Sequence, residues 1–456
     1  MQPKLSPAGD RALLVEVGEI TAAHLHAAAV AVRSSGGVVA CIVGQESLYV
    51  IFDRRPQPET VLRALAGADA QHVEPRRHAI EISFAAEHAP DLRELLDRIS
   101  IDNPEFLARV RSLRLTARYL GFRAGFAYFD GWPEEWRMPR RPTSRLRVPR
   151  GSFAIAGPSA GFYTIDSPGG WNILGRTAAP LWDARRDPPN LIAAGDEVAI
   201  VPVEDLRPMP DIAESVPPPQ IAGVELLANA QFATVVGRSD WSRIECGLAP
   251  GGAFDEESAM LANRLAGNRD DAPLLECAMV VPRLRFDRDS VVVWCGAECD
   301  LPQATPVSVG GGRDIAGGRI RGGLRGWLAV GTSDHGSPGG SSDPLAVSRS
   351  DRLTIAAVAG PHETPLRSIT CEVTAQLNRV GIRMRPLDPI GFEAPGDLPS
   401  CGTQFGTIQL HPDGSLVAMG PDHPITGGYL QPMTIRWDER WKLAQLAPGD
   451  RVRFVC

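Results

Sequence analysis

Residues 195–201 (GDEVAIV) have a close counterpart at the end of the chain, where residues 449–455 read GDRVRFV. Each segment joins a Gly-Asp turn to alternating apolar side chains, a pattern typical of a half-buried strand. Each also follows a Gly-Gly-aromatic turn, at residues 169–171 (GGW) and residues 427–429 (GGY). We therefore expect the two halves of the chain to close with the same kind of β-barrel, used twice.

The 456 residues divide into two halves, each of which closes with one of these segments. The first 85 residues alternate predicted strands and helices as β-α-β-β-α-β, the order of a ferredoxin-like domain. Short strands separated by Gly and Pro follow from about Arg114. The sequence thus predicts a mainly β protein with an α+β N-terminal part. The expected division is a ferredoxin-like domain over residues 1–78, a β-barrel over 79–203, a Pro-rich linker over 204–220 and a second half with one or more barrels over 221–456.

Local signals refine this outline. Thr21, Asp91 and Asp255 each precede a predicted helix and suit its N-cap, because a short polar side chain can accept a hydrogen bond from the first helical turn. Residues 333–343 are rich in Gly and Ser, so we expect an exposed, mobile loop there. Residues 157–161 (GPSAG) match the nucleophile elbow G-x-S-x-G, but strands flank them on both sides. We therefore predict a hairpin turn without a catalytic serine.

The charge composition argues against several classes of protein. A net charge of −7 is opposite to the basic excess of a general nucleic-acid binder. Nearly all of the 47 basic residues are arginines, since lysine occurs only at Lys4 and Lys442. Neither lysine lies in a phosphate-binding loop or a biotin-attachment motif, so we expect neither a P-loop NTPase nor a biotin carrier.

The cysteine and hydropathy patterns predict a cytoplasmic protein without a metal centre. The eight cysteines are dispersed, and the close pair Cys295 and Cys299 has no second pair to complete a tetrahedral site. We expect the cysteines to be reduced and mostly buried. No apolar run approaches the roughly 18 residues of a membrane span, and the N-terminus lacks the pattern of a secretory signal.

Two segments of the first half carry candidate binding residues. Residues 137–150 contain six arginines, which form either a solvated loop or a fork of guanidinium groups facing a carboxylate or phosphate. Residues 120–128 place closely spaced glycines between aromatic residues. That pattern suits either a packed barrel turn or a close approach of the backbone to a ligand. The residues alone leave these alternatives open.

A series of motifs in the first half carries a family resemblance. In chain order they are GF (121–122), GFAY (125–128), PRRP (139–142), RVP (147–149), GSFAIAG (151–157), SPGGW (167–171), GRT (175–177), DPP (187–189) and GD (195–196). With these motifs, residues 118–203 resemble the allophanate hydrolase subunit 1 family, which supplies the B-type component of bacterial ATP-dependent 5-oxoprolinase.

The second half carries a second series. Its motifs are GLAPGGAFD (247–255), ANRLAGN (262–268), LE (275–276), GLRGWLAV (323–330), NRVGIR (378–383) and TGGY (426–429). They resemble the allophanate hydrolase subunit 2 family, which supplies the C-type component of the same enzyme. The chain as a whole therefore resembles a fusion of the B-type and C-type components, and similar domains form the carboxyltransferase part of urea carboxylase.

The resemblance implies cyclophilin-like barrels and an enzyme component. With a separate A-type subunit, such a chain would convert the cyclic amide 5-oxoproline to glutamate at the expense of ATP. ATP would be bound by the partner or shared with it, and no biotin would be attached to this chain. We expect an oligomer in the cytoplasm, with no nucleic-acid or membrane partner and no metal cluster.

The resemblance also implies the site residues. Asp255 and Asp422 are the acidic candidates for polarising water. The candidates for binding the substrate or an anion are Arg140, Arg141, Arg145, Gly125, Phe126, Tyr128, Gly169, Gly170, Trp171, Arg176, Thr426, Gly427, Gly428 and Tyr429.

The second half departs from the family pattern, which keeps two other functions open. Gln431 stands where the family has lysine, so turnover at the site of the second half is in doubt. One alternative is a carboxyltransferase or allophanate-type component that acts on urea-like amides with a biotin-bearing partner. The other is a non-catalytic regulator of a sensor histidine kinase, as related bacterial pairs resemble inhibitor and anti-inhibitor proteins.

Overall fold

A computed structural model describes residues 3–456 apart from 19, 69–74, 144, 214, 216–219, 333–352, 393, 394, 396 and 397. The protein is mainly β, with an α+β part at its N-terminus and two closed seven-stranded barrels, which confirms the predicted fold class. The loop predicted at residues 333–343 lies outside the described residues.

The N-terminal unit is one antiparallel sheet with two helices. Its elements are β1 Lys4–Pro7, β2 Ala12–Glu16, α1 Ala22–Arg33, β3 Val38–Val43, β4 Ser47–Phe52 and α2 Pro58–Gly67. The strands lie in the order β1-β2-β4-β3. Thr21 caps α1 as predicted, since its hydroxyl accepts a hydrogen bond from the backbone N–H of His24.

The first barrel follows directly. Its elements are β5 Arg77–Ser83, α3 Leu92–Ile99, α4 Asn103–Ser112, β6 Arg114–Leu120, β7 Ala127–Asp130, β8 Arg145–Val148, β9 Ser152–Ala156, β10 Ser159–Phe162, β11 Ser167–Gly169, β12 Asn172–Arg176 and β13 Glu197–Val203. The barrel order is β10-β7-β6-β13-β5-β12-β9, and β8 pairs with β11 as a separate ribbon. Strands β9 and β10 form the hairpin that was predicted at GPSAG.

One strand lies elsewhere than the β-α-β-β-α-β pattern implied. The β-α-β-β-α-β pattern placed strand β5 in the N-terminal sheet, whereas the expected division placed residues 79–203 in the barrel. Strand β5 pairs with β13 and β12 inside the first barrel. The N-terminal sheet is completed instead by β1, which pairs with β2 at its edge. Ile80 and Ile82 of β5 are both buried in the barrel core, so the alternation that predicted a strand there was real.

The second half begins with two further sheets around one helix. The elements are β14 Val224–Ala228, β15 Ala233–Val236, α5 Glu256–Leu265, β16 Leu274–Ala278, β17 Val280–Phe286, β18 Ser290–Glu298, β19 Val307–Val309, β20 Asp314–Arg319 and β21 Arg321–Thr332. Strands β14-β17-β20 form one sheet, and β15-β16-β21-β18-β19 form the other. Asp255 caps α5, as predicted.

The second barrel ends the chain. Its strands are β22 Thr354–Ala359, β23 Ser368–Leu377, β24 Gly381–Pro386, β26 Thr407–Leu410, β27 Leu416–Met419, β29 Leu430–Ile435 and β30 Arg451–Val455, and the short strands β25 Cys401–Gly402 and β28 Thr426–Gly427 pair beside it. The 3-10 helices of the described chain are Glu134–Trp136, Ala230–Phe232, Trp241–Cys246 and Trp437–Gln445.

The two repeated endings play the same part in the two barrels. Strand β13 pairs in parallel with β5, the first strand of its barrel, and antiparallel with β6, the second. Strand β30 likewise pairs in parallel with β22 and antiparallel with β23. The inward-facing residues are Val198 and Ile200 in one strand and Val452 and Phe454 in the other, and all four are buried. The duplicated barrel predicted from these segments is therefore confirmed.

The N-terminal sheet packs against the second barrel, which brings the two halves of the chain together. The backbone N–H of Gln45 donates to the carbonyl of Ser400 over 2.7 Å. The side-chain amide of Gln404 donates to the carbonyl of Ala8 over 2.9 Å. Tyr49 lies fully buried in the apolar cluster between the two units.

Three features bear on the sequence-based exclusions. All eight cysteines lie in the described chain and are unpaired, and five of them are buried. Within the described ranges, no group of three His, Cys, Asp or Glu residues is arranged to hold a metal ion. No helix in those same ranges combines the length and the apolar character that a bilayer crossing needs.

Candidate functional site at the junction of the two barrels

The two sets of predicted site residues meet where β28 of the second half contacts the loop between β6 and β7. The backbone N–H of Phe122 donates to the hydroxyl of Thr426 over 3.3 Å. A Cβ at Gly121 would lie 2.0 Å from the same oxygen, so only glycine fits there. The Thr426 side chain also lies close enough to Tyr128 to oppose the rise in the pKa of its hydroxyl. A residue of the second half thus completes the surface of the first half.

Five aromatic side chains form one wall of this junction. Tyr119 and Tyr128 stack with their ring centroids 4.4 Å apart. Phe126 lies 5.0 Å from Tyr128 and 5.4 Å from Trp171, and Tyr163 packs edge-on against Phe126 at 5.5 Å. The structure therefore brings the predicted residues Phe126, Tyr128 and Trp171 together. Sequence reasoning missed Tyr119, which lies in β6 beside the glycine-aromatic segment, and Tyr163, which directly follows β10.

The predicted glycines act through close packing. A Cβ at Gly169 would lie 2.1 Å from the hydroxyl oxygen of Tyr163, so glycine is required for that ring to reach the wall. The carbonyl of Gly170 accepts from the backbone N–H of Arg141. Gly125 packs on Trp182, and Gly427 packs on the buried amide of Gln409. These close contacts within the protein agree with a packed barrel turn, one of the two interpretations of the glycine-rich segment.

The tyrosine hydroxyls stay protonated at neutral pH. Burial raises the pKa of Tyr119 and Tyr128 well above 10 and that of Tyr163 to about 12. Arg140 lies close enough to oppose this rise electrostatically at all three hydroxyls. Its guanidinium is exposed, and no carboxylate of the described chain pairs with it. The junction therefore offers neutral hydroxyl groups beside an uncompensated positive charge.

The other two arginines of the predicted fork face a carboxylate of the protein itself. Arg141 and Arg145 each donate to one oxygen of Asp91 over 2.8 Å. The second oxygen accepts from the backbone N–H of Ile173 over 2.7 Å. Asp91 precedes α3 as predicted, but its side chain makes no capping hydrogen bond because the arginines and Ile173 occupy it. The two guanidinium groups are thus held by one internal carboxylate, which neutralises one of their two charges.

The remaining predicted arginine lies outside this group. Arg176, at the end of β12, donates to the backbone carbonyl of Arg150 over 3.1 Å. It helps to hold the turn that leads into β9.

The two acidic candidates lie in different environments. Asp255 is buried, and its oxygens accept from the backbone N–H of Ser258 at 3.0 Å and from the Ser258 hydroxyl at 2.6 Å. Burial raises the pKa of this carboxyl. Asp422 is half exposed and accepts two hydrogen bonds from Arg379, at 2.8 and 2.9 Å. Asp422 lies four residues before Thr426, at the start of the loop that reaches the junction.

A buried charge cluster anchors that loop. Arg379 bridges Asp422 to Glu276, whose carboxylate lies 2.8 Å away and is almost fully buried. Glu276 also accepts from the backbone N–H of Phe254 and the indole N–H of Trp327. Sequence analysis found Glu276 and Arg379 only as members of family motifs, because neither segment shows that the two residues form an ion pair.

Tyr429, a predicted site residue, and Gln431, the departure from the family pattern, have their partners within the second half. Tyr429 stacks on His411, with ring centroids 4.1 Å apart. Gln431 is fully buried, and its amide donates to the carbonyl of Gly402 and to the sulfur of Cys401, each over 3.1 Å. Gly428 packs against the backbone of Leu398. The residue that stands in place of the family's lysine at position 431 is therefore buried inside the fold.

A cavity of about 160 Å³ adjoins the junction. Tyr119, Asn190 and Ile425 line it together with the thiols of Cys41 and Cys246. Its walls come from the N-terminal sheet, the first barrel and the second half. A small molecule enclosed there would contact all three units.

Comparison with known proteins gives matches to both halves. The family model described as carboxyltransferase domain, subdomain C and D, matches residues 3–192. The model described as carboxyltransferase domain, subdomain A and B, matches residues 246–335 and 337–456.

Curated relatives match the first half most strongly. The chain is 33% identical over 174 residues to the B component of 5-oxoprolinase from Escherichia coli O157:H7, covering 37% of this chain and 79% of that protein. It is 31% identical over 220 residues to the B component of 5-oxoprolinase from Bacillus subtilis (strain 168), covering 43% and 91%. It is 24% identical to urea amidolyase of Saccharomyces cerevisiae, covering 50% of this chain but 16% of that enzyme.

A solved structure matches the whole chain. The crystal structure of TTHA0988 superposes with a TM-score of 0.82 at 26% identity, covering 98% of this chain and 100% of that one. The order of the two halves in one polypeptide is therefore found in a second protein.

Proposed function

Because this chain belongs to the carboxyltransferase-domain family, with subdomains C and D ahead of subdomains A and B, we propose that it is the fused B- and C-like component of an ATP-dependent amidohydrolase. The proposed reaction is the hydrolysis of 5-oxoproline to glutamate together with a separate A-type subunit. Water adds across the lactam C–N bond, so the ring nitrogen becomes the amino group and the carbonyl becomes the side-chain carboxylate.

The contact of Thr426 with Gly121, Phe122 and Tyr128 carries this proposal. It joins motif residues of both halves at one place, as a shared site would require. The 33% identity to the B component of a 5-oxoprolinase, over most of that protein's length, favours the lactam among amide substrates.

Arg140 is the group that we propose for the substrate carboxylate. It is exposed and unpaired in the described chain, whereas Arg141 and Arg145 are held by Asp91. The protonated tyrosines beside it would donate hydrogen bonds to the lactam carbonyl, where negative charge develops as water attacks. Asp422 remains the acidic candidate for orienting water because it is half exposed.

ATP is assigned to the partner protein in this proposal. Phosphate groups in nucleotide loops are commonly held by a lysine. Here Lys4 pairs with Glu16 over 2.9 Å, and Lys442 donates to the carbonyl of Thr354 over 3.0 Å. Both lysines of the chain are thus engaged within the fold and do not fit that task.

The test is reconstitution with the cognate A-type subunit. We expect glutamate and ADP to be released from 5-oxoproline and ATP only when both proteins are present. Arg140→Ala should raise KM at least about ten-fold, since a charge-assisted hydrogen bond to the carboxylate is lost. Arg137→Ala is the matched control, because Arg137 is exposed on the same loop and pairs only with Glu134 among the described residues.

Two results would contradict the proposal. An assembled complex that releases no glutamate would exclude 5-oxoproline as the substrate. Equal KM values for the Arg140→Ala and Arg137→Ala proteins would exclude Arg140 as the carboxylate-binding group.

A carboxyltransferase acting on urea-like amides is the second candidate. Both family models carry the carboxyltransferase description, and urea amidolyases match about half of the chain. This function needs a biotin-bearing partner. Co-purification of a biotinylated protein, with carboxyl transfer from carboxybiotin to urea, would support it over lactam hydrolysis.

A further inference from the structure

An open groove of about 430 Å³ lies between the N-terminal sheet and the second barrel. Three loops line it: residues 10–11 between β1 and β2, residues 54–55 after β4, and residues 436–438 after β29. None of these residues belongs to the junction described above. The groove therefore needs an explanation of its own.

The groove is positively charged although the chain is acidic overall. Four arginines line it against two aspartates. Asp438 is bound by Arg436 through two hydrogen bonds of 3.1 and 2.9 Å. Asp10 accepts from the backbone N–H of Trp437 at 3.1 Å. Asp438 is thus paired, whereas Asp10 keeps its charge, so the lining residues carry an excess of two positive charges.

Two of the arginines have no such partner. Arg54 and Arg55 are exposed, and neither forms an ion pair or a hydrogen bond with any described residue. Arg11 donates to the backbone carbonyl of Asp53 over 2.8 Å, which fixes the direction of its guanidinium without neutralising it. The groove therefore holds positive charge that the described chain leaves uncompensated.

A buried arginine adds to this charge from the inner side. The guanidinium of Arg440 lies 3.8 Å from the ring centre of Trp437, and that of Arg11 lies 4.5 Å from it. Arg440 is buried, donates to the side-chain oxygen of Gln404, and has no carboxylate partner among the described residues. Arg11 and Arg440 thus place two positive charges at one indole, where they repel each other. An anion in the groove would be attracted by both charges.

We propose that this groove binds a small oxyanion carrying two or more negative charges. Guanidinium groups match the paired oxygens of carboxylates and phosphates, and several of them converge here. The volume falls in the range of small-molecule sites, about 300–1,000 Å³. A protein segment would need roughly 800 Å² of surface on each partner, which favours a small molecule. The inference is independent of the proposed lactam hydrolysis.

Calorimetric titration of the full chain tests this site, with inorganic pyrophosphate and citrate as separate probes. We expect saturable one-to-one binding of at least one probe at low salt, weakened at high salt by screening. The double variant Arg54→Ala/Arg55→Ala should lose at least about ten-fold in affinity. Both side chains are exposed and unpaired in the described chain, so the variant should fold normally.

The control is Arg93→Ala/Arg98→Ala, which removes the same charge from α3 on the first barrel. Both side chains are exposed there. Binding of pyrophosphate alone would identify phosphate as the ligand chemistry, and binding of citrate alone would identify carboxylate. Equal losses in both double variants, or binding that never saturates, would mean an adventitious ion only and would overturn the proposal.

Discussion

Replacing Glu276 with glutamine tests the buried charge cluster that anchors the junction loop. The carboxylate is 4% exposed. One oxygen accepts from Arg379 over 2.8 Å. The other accepts from the backbone N–H of Phe254 over 2.8 Å and from the indole N–H of Trp327 over 3.1 Å. The substitution keeps the size of the side chain and removes its charge.

The expected cost follows from what the glutamine would face. Each carboxylate oxygen accepts from at least one donor, so the new NH2 group meets a donor in either orientation. The change also leaves the buried charge of Arg325 without its carboxylate and leaves Arg379 with Asp422 alone. Removing one partner of a buried ion pair costs about 3–5 kcal/mol. We expect Glu276→Gln to lower the free energy of unfolding by that amount.

Asp422→Asn is the matched comparison, because Asp422 pairs with the same Arg379 but is 42% exposed at its side chain. Exposed ion pairs contribute about 1 kcal/mol or less. Urea denaturation gives the stability of each variant. Hydrogen exchange at the Phe254 amide, which donates to Glu276, reports the local opening of the cluster itself. Equal losses of unfolding free energy in the two variants would refute the reasoning. The burial of a carboxylate would then make no difference to the cost of removing its charge.

Two further predictions concern the junction loop. Gly121→Ala puts a methyl group 2.0 Å from the hydroxyl oxygen of Thr426, so we expect a loss of about 1–3 kcal/mol in urea denaturation, with Thr426→Gly in the same chain restoring most of it. Additive losses in the double variant would show that the two residues do not touch. Burial lowers the pKa of His423 to about 4, against about 6.5 when unfolded. The unfolded state then binds more protons, so stability should be complete above pH 6.5 and fall by up to about 3 kcal/mol as the pH drops to 4. His423→Gln should remove that part of the pH dependence, and an unchanged profile would contradict the assignment.

The parts of the fold that were predictable from sequence have local causes. Strands β13 and β30 were identified because alternating buried residues and a preceding Gly-Asp turn lie within seven positions. The caps at Thr21 and Asp255 were identified for the same reason, since a capping side chain bonds within the next three residues. That both halves close with the same kind of barrel was accessible only through the repetition of the ending.

The parts that were missed depend on contacts between distant segments. Strand β5 has the pattern of any half-buried strand, so its residues do not reveal whether it completes the N-terminal sheet or the first barrel. Asp91 has the local setting of a helix cap, yet Arg141 and Arg145 reach it from 50 and 54 positions away. The contact between Gly121 and Thr426 spans about 300 residues and leaves no trace in either segment.

Arginine density singled out residues 137–150 but did not separate Arg140, the residue proposed here, from Arg141 and Arg145. In a chain with 47 basic residues and two lysines, an arginine-rich stretch is expected by composition alone. What separates Arg140 from Arg141 and Arg145 is the location of the nearest carboxylate, because Asp91 holds the two others in place while Arg140 pairs with no carboxylate of the described residues. The same criterion selects Arg54 and Arg55 in the groove. In such a protein, candidate anion sites are best sought among arginines whose charge the fold leaves uncompensated.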